Sequence, residues 1–356
     1  MRAVRFHGRG DIRVDQIEEP VCGAEEVKIR PAFVGICGSD LHEYIAGPLT
    51  IPSTPHAVTG ATLPVTLGHE FSGTVEEVGA DTTTSLKVGD RVAVKPNLYD
   101  GSCASCLMGR VNCCRNLGFI GYSSDAGGLS DHVVIKEQHA IPLPGSFPLD
   151  IGALVEPLTI AWHAVKRSPT TAAKTALVIG GGGPIGLAIV QALRAHGMQT
   201  IIVAEVSRQR QTYARTLGAT DVIDPTSEDA VARVRAMTEG AGADVAFECS
   251  GVQAGLDAAV GGIRTRGTVT VVSLWETRPA IDAFEVVSSE KHVIGAVVCD
   301  DGDFEAVIDA IWSGMTTRST GYDYEQDRME EVEEKGFKAL ISQRDRHVKM
   351  LVDIAA

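Results

Sequence analysis

Apolar, β-branched runs alternate with helix-period stretches through the middle third of the chain. Strands are predicted at 176–180, 200–204, 221–223, 244–248, 268–273 and 293–298. Helices are predicted between them at 187–196, 208–217, 228–237 and 254–260. Ser207 and Ser227 are placed as N-caps, and Gly197 and Gly218 as C-terminal stops. The strands are almost continuously apolar, as in a parallel sheet covered on both faces. The first 155 residues have a different texture. Short alternating strands at 26–30, 71–78, 91–94 and 129–135 are separated by Gly- and Pro-rich turns. Residues 46–64 hold four prolines and two glycines in 19 residues and read as a long loop of functional type. Beyond the α/β block, Phe304, Val307, Ile308, Ile311 and Trp312 share one face of a predicted helix that ends near Gly314. Residues 338–352 read as a further helix and a closing strand. The pattern describes a β-rich domain, an inserted dinucleotide-type α/β domain, and a return of the chain to the first.

The insertion opens on ALVIGGGGPIG, residues 176–186. Gly181, Gly183 and Gly186 fit G-x-G-x-x-G between a strand and a helix, with Pro184 and Ile185 inside the motif. Glycine permits the tight turn, the close approach of a pyrophosphate and close helix–strand packing. Four consecutive glycines leave the register of the first uncertain by one. The next strand ends at Glu205, 19 residues past Gly186. A carboxylate there accepts both ribose hydroxyls and repels a 2′-phosphate, which favours NAD over NADP. Arg208 and Arg210 keep the alternative open, because a nearby arginine could receive that phosphate.

At 356 residues the chain is long for one domain and short for three, so two are expected. A content of 44% apolar and 22% charged residues is that of a packed globular protein. The net charge of −14 disfavours nucleic acid and anionic membrane as partners. A phosphate-bearing ligand remains compatible with it, since backbone N–H groups at a helix start bind anions. No apolar run is long enough to span a bilayer. Residues 1–10 lack the apolar core of a secretory signal, so a cytoplasmic, reducing location is expected. Four of the eight cysteines fall within twelve residues, and in a reducing compartment such crowding favours metal over disulfides.

Two groups of residues have ligand chemistry. Cys37 sits at a strand end, His69 and Glu70 follow 32 residues later, and Glu156 closes the first domain. Thiolate, imidazole and carboxylate suit tetrahedral zinc, with the fourth position left for water or substrate. The second group is Cys103 and Cys106 in a C-x-x-C on a Gly-rich loop, with Cys114 eight residues later. A closed site needs a fourth ligand, and Asp100 or Cys113 could supply it.

The chain resembles the zinc-dependent medium-chain alcohol/polyol dehydrogenases over essentially its whole length. The residues that carry the resemblance are GICGSDLHEY (35–44), LPVTLGHEFSGTVEEVG (63–79), VGDRV (88–92), GSCASCLMGRVNCC (101–114), EPL (156–158), GGGPIG (181–186), DVAFECSG (244–251) and HVKMLV (347–352). Within that family, LHEYIAGPLTIP, GFIGYSSDAGG (118–128) and the GFKALI…HVKMLV tail are similar to the butanediol dehydrogenase branch. The resemblance implies a discontinuous GroES-like catalytic domain, 1–157 and 297–356, around a Rossmann-type doubly wound domain, 158–296. It implies that Cys37, His69 and Glu156 hold a catalytic zinc, with Glu70 either behind these ligands or as a transient one and Asp40 orienting His69. Asp100, Cys103, Cys106 and Cys114 would hold a structural zinc, with aspartate where the family has a fourth cysteine.

The activity implied is reversible, NAD-linked oxidation of a secondary alcohol or vicinal diol to a ketone, most naturally 2,3-butanediol to acetoin. Oxidation of a polyol such as sorbitol or xylitol, or of a pathway-specific secondary alcohol, is the alternative. Ser39 would take the hydroxyl proton and His42 would pass it toward solvent. Arg210 would join Glu205 at the cofactor. Tyr44, Ile45 and the 46–64 loop, with Trp275 or Phe119, are expected to shape the substrate pocket. The family also implies a homo-oligomer, dimer or tetramer, with the strand at 293–298 as the shared edge.

Overall fold

A computed structural model describes residues 1–316 and 326–355. They fall into two units. The first is Met1–Glu156 with Asp300–Ile308 and the later part of the chain. The second is Pro157–Cys299 with the described part of Asp309–Tyr322. The segment from 309 thus groups with the second unit, whereas the sequence assigned all of 297–356 to the first.

The first unit is built on antiparallel β-structure. Its central strand, β1 (Glu26–Gly35), is followed by helix α1 (Gly38–Ala46), by β2 (Glu70–Val78) and by β3 (Arg91–Val94). β1 pairs antiparallel with β2, and its C-terminal end also pairs with the closing strand Leu351–Asp353. In this register Gly35 lies opposite both Glu70 and Leu351. Val27, Ile29, Val34, Phe71 and Val75 are all buried in one core with Phe6 and Phe337.

His139 lies at the edge of this sheet. It is buried, and its Nδ1 donates to the Lys95 carbonyl at 2.9 Å. Burial lowers its pKa to about 4. A histidine held neutral in the fold stabilises it above the unfolded pKa near 6.5, and that stability is lost as pH falls toward 4. The full loss is about 3 kcal/mol. Melting curves taken from pH 7.5 to pH 5 should therefore fall more steeply for the wild type than for His139→Gln. Parallel curves would contradict this assignment.

In the second unit the first strand is β4 (Thr175–Ile179), followed by helix α2 (Pro184–Ala195), β5 (Thr200–Ala204), β6 (Asp221–Ile223), β7 (Ala243–Glu248), β8 (Ile263–Val271) and β9 (His292–Gly295). All adjacent pairs are parallel, and the spatial order is β6-β5-β4-β7-β8-β9. The order reverses between β4 and β7, so the carboxyl ends of β4, β5 and β7 converge where such sheets bind ligands. The strands are nearly dry, as their composition predicts: Leu177, Val178, Ile202, Val203 and Phe247 are buried.

Local punctuation follows the sequence with small shifts. Ser207 caps its helix, and Gly218 ends it at φ 114°. Asp229, not Ser227, caps the next helix, accepting from the N–H groups of Val231 and Ala232. The expected helix from 338 is a π-turn, Val332–Lys338, running into the short helix Ala339–Ser342. A π-turn carries one extra residue per turn. Here that geometry accompanies Phe337 against the Tyr44 ring and bare Gly336 over Ile36, whose Cδ1 would lie 2.5 Å from an added Cβ.

Candidate active site

Cys37 is the N-cap of α1, immediately beyond β1. Its N–H donates to Asp40 Oδ2 at 2.8 Å, so a carboxylate three residues on closes the first turn and fixes the cysteine. The other Asp40 oxygen faces His69 Nδ1 at 3.5 Å, longer than a hydrogen bond. Both atoms are buried with no other partner. Cys37, His69 and Glu70 form one cluster whose ligand atoms lie within 4.8 Å of one another.

Glu156, in the first turn of helix Val155–Arg167, is buried beside this cluster but is not among its three members. Its carboxyl is pushed up to about 7, chiefly by burial and then by Glu70. Burial also pushes the Cys37 thiol up, with Glu70 adding to it. Asp40 is raised by burial against the pull of His69. Several acids crowded out of water and all biased toward their protonated forms mark a site short of positive charge. A divalent cation with thiolate, imidazole and carboxylate donors fits that deficit.

Sequence reasoning missed a buried cation at this cluster. Lys349 ion-pairs with Glu70, and the two side chains are 3% and 1% exposed. Gly35 makes room for the pair, because a Cβ there would lie 2.2 Å from Glu70 Oε2 and 3.0 Å from Lys349 Cε. The sequence signal was a lysine inside the apolar run HVKMLV.

Ser39 and His42 both lie on α1, half-buried and three residues apart, hence neighbours on the helix surface. The aromatic residues expected around the substrate have partners of their own. Tyr44 donates to Glu333 at 2.8 Å and packs its ring on Phe337 at 5.6 Å. Phe119 lies against the same core, and Trp275 against the core of the parallel sheet. The 46–64 loop is held at its start by buried Glu43, which accepts from the N–H groups of Leu49 (2.8 Å), Thr50 (2.6 Å) and Ile51 (3.2 Å).

Asp100, Cys103, Cys106 and Cys114 form a second cluster of metal-ligand type, and exposed Cys113 is not a member. The Cys103 sulfur lies 3.5 Å from that of Cys106 and 3.9 Å from that of Cys114. Asp100 Oδ1 accepts from the N–H groups of Ser102 and Cys103, each at 2.8 Å, and Oδ2 accepts from Asn116 at 2.9 Å. These bonds hold its carboxyl well below the usual carboxylate range. The Cys103 thiol is drawn down to about 7 by the N–H groups of Arg115 and Cys106. An ionised carboxylate and an acidified thiol beside two further sulfurs are a donor set of the kind that suits zinc.

The glycine-rich turn is a cradle. Gly180 takes the left-handed position at φ 68°, one residue before the expected first glycine. A Cβ on Gly186 would lie 2.4 Å from the Gly180 carbonyl. A Cβ on Gly182 would lie 2.6 Å from Arg210 Cβ and 2.7 Å from Glu205 Cγ. Gly183 is the N-cap of α2 and supplies no side-chain acceptor, while Pro184 opens the helix. First-turn N–H groups are thus left for an anion, in the manner of a pyrophosphate site. Glu205 is buried with one oxygen accepting from Gly182 N at 3.0 Å and the other from Ser207 N at 2.9 Å. Each oxygen keeps a lone pair for a ribose hydroxyl.

Comparison with known proteins agrees with this geometry. Residues 23–145 match the alcohol dehydrogenase GroES-like domain, and residues 184–313 match the zinc-binding dehydrogenase domain. The chain belongs to the zinc-dependent medium-chain alcohol dehydrogenases, oxidoreductases that act on CH–OH donors and bind NAD(P). Within that family it lies in the branch of the (R,R)-butanediol dehydrogenases. It is 39% identical to the (R,R)-butanediol dehydrogenase of Bacillus subtilis over 99% of both chains. It is 35% identical to that of Saccharomyces cerevisiae over 99% of this chain and 98% of the yeast protein. The crystal structure of 2R,3R-butanediol dehydrogenase from Bacillus subtilis superposes with a TM-score of 0.92 at 39% identity, covering 99% of each chain. No helix among the described residues is long and apolar enough to cross a membrane.

Proposed function

We propose that this chain is an NAD-dependent dehydrogenase of secondary alcohols, with 2,3-butanediol and acetoin as its substrate pair. The observation that carries this reading is the Cys37–His69–Glu70 cluster, with His69 and Glu70 buried, in a chain that matches butanediol dehydrogenases over 99% of its length. Cys37, His69 and Glu156 would hold the catalytic zinc. The engagement of Glu70 by Lys349 supports Glu156 as the third ligand. The chemistry that bound zinc would supply is a more acidic substrate hydroxyl, and NAD would supply the hydride acceptor. Ser39 receives the hydroxyl proton, and His42, one helical turn further on, hands it to solvent. In the reverse direction the same two groups return it.

Glu205 favours NAD, because a second negative charge at the ribose is repelled by a buried carboxylate. The Asp100 cluster would hold a second, structural zinc. The outer edge of β9, with exposed Phe284 and Val287 nearby in sequence, supports a homo-oligomer. NAD reduction by the purified protein should be faster with (R,R)-2,3-butanediol than with sorbitol at equal concentration, and faster with NAD than with NADP. A preference for sorbitol would move the reading to polyols. A preference for NADP would assign the cofactor phosphate to Arg208 or Arg210.

A further inference from the structure

The loop GFIGYSSDAGG is wrapped onto the segment Gly68–His69 that leads into β2. Gly121, at φ 83°, lies so close that an added Cβ would stand 2.2 Å from the Gly68 carbonyl and 2.8 Å from His69 N. Gly128 N donates to the Gly68 carbonyl at 2.8 Å. This approach delivers Tyr122 edge-on to His69, with ring centroids 5.3 Å apart and planes at 88°. The ring is 4% exposed and belongs to the core of the first unit. A phenylalanine would fill that place equally well, so packing does not account for the hydroxyl.

The hydroxyl is buried and makes no hydrogen bond of good geometry. Leaving such a group unsatisfied costs about 1–3 kcal/mol. The side-chain hydroxyl that faces it is that of Ser39, while Asp40, Glu43 and Cys37 contribute negative charge around it.

We infer that Tyr122 is a positioning residue for proton transfer: its O–H donates to Ser39 Oγ and fixes the rotamer in which Ser39 meets the substrate hydroxyl. A serine oxygen has two lone pairs and one proton. With one lone pair held by Tyr122, the other accepts the substrate proton, and the Ser39 proton points onward to the next acceptor. The proton count balances in each direction, and Tyr122 gives up nothing. The inference rests on the proposed role of Ser39.

Tyr122→Phe, Ser39→Ala and the double variant separate the two readings. Tyr122→Phe keeps the ring against His69 and should keep the zinc content of the wild type. Its kcat should fall about tenfold, the worth of one hydrogen bond to a polar group, with KM little changed. Its solvent isotope effect on kcat should rise as proton transfer becomes limiting. In the Ser39→Ala background the same change should cost nothing further, because the partner it acts through is gone. A Tyr122→Phe enzyme with wild-type kcat, or one losing the same factor in both backgrounds, overturns the inference while leaving Ser39 in place. If Ser39→Ala alone turns over normally, the relay fails and this inference fails with it.

Discussion

Replacing Cys37 by serine should abolish alcohol oxidation while leaving the protein folded. Cys37 is the soft donor in the cluster, and it sits at a helix cap rather than inside the apolar core. Serine has no comparable affinity for zinc, and its hydroxyl stays protonated beside Glu70 and Glu156. Without the cation, the substrate hydroxyl must ionise unaided, at a cost that a bound metal reduces by roughly nine pKa units for water. A loss of at least about a thousandfold in kcat follows, even if only a third of that effect is expressed in the rate. Metal analysis should show one zinc fewer per chain than the wild type. Circular dichroism should be unchanged, because Asp40 still caps α1 through the backbone N–H of residue 37.

The second large effect is on stability. Lys349→Met removes the cation from a pair that is dry on both sides. In the metal-free protein Glu70 is then buried beside Cys37, Asp40 and Glu156 without its ion-pair partner. Breaking a buried pair from one side costs about 3–5 kcal/mol. Lys349 also draws down the pKa of both Cys37 and Glu156, so its loss makes those groups harder to ionise. Denaturant titration of Lys349→Met should show the full loss. The Lys349→Met, Glu70→Gln double variant should recover most of it, since no uncompensated charge remains. Equal losses in the single and double variants would mean that the lysine contributes packing rather than charge.

The parallel sheet was legible in the sequence because its strands are buried on both faces and therefore read as unbroken apolar runs. The bounds of β5, β6 and the Arg208–Leu217 helix agree with the sequence reading. β8 begins five residues earlier than expected, at Ile263, because Arg264, Thr265 and Arg266 hide its start. Those side chains point to water or to Asp244 and Glu290, which no local pattern reveals. Asp229 displaced Ser227 as a cap because the helix starts two residues later than the periodicity suggests.

In the site, Cys37 and His69 were legible because ligand chemistry and spacing coincide with a family pattern. Lys349 and Tyr122 were not. Lys349 meets Glu70 only because β1 brings Gly35 opposite both Glu70 and Leu351, a pairing of three distant segments. Tyr122 meets His69 only because Gly121 allows the backbones to touch. The contacts of Tyr44 were hidden for a similar reason. Its position beside LHE suggested the substrate, yet Phe337 and Glu333, from the far end of the chain, already occupy it.

The most direct test of the central claim follows turnover of (R,R)-2,3-butanediol with NAD through removal and return of metal, with zinc measured in the same samples. Turnover should vanish as zinc is chelated from the Cys37 site, and it should return in proportion to zinc restored. Undiminished turnover by zinc-free protein would contradict the account.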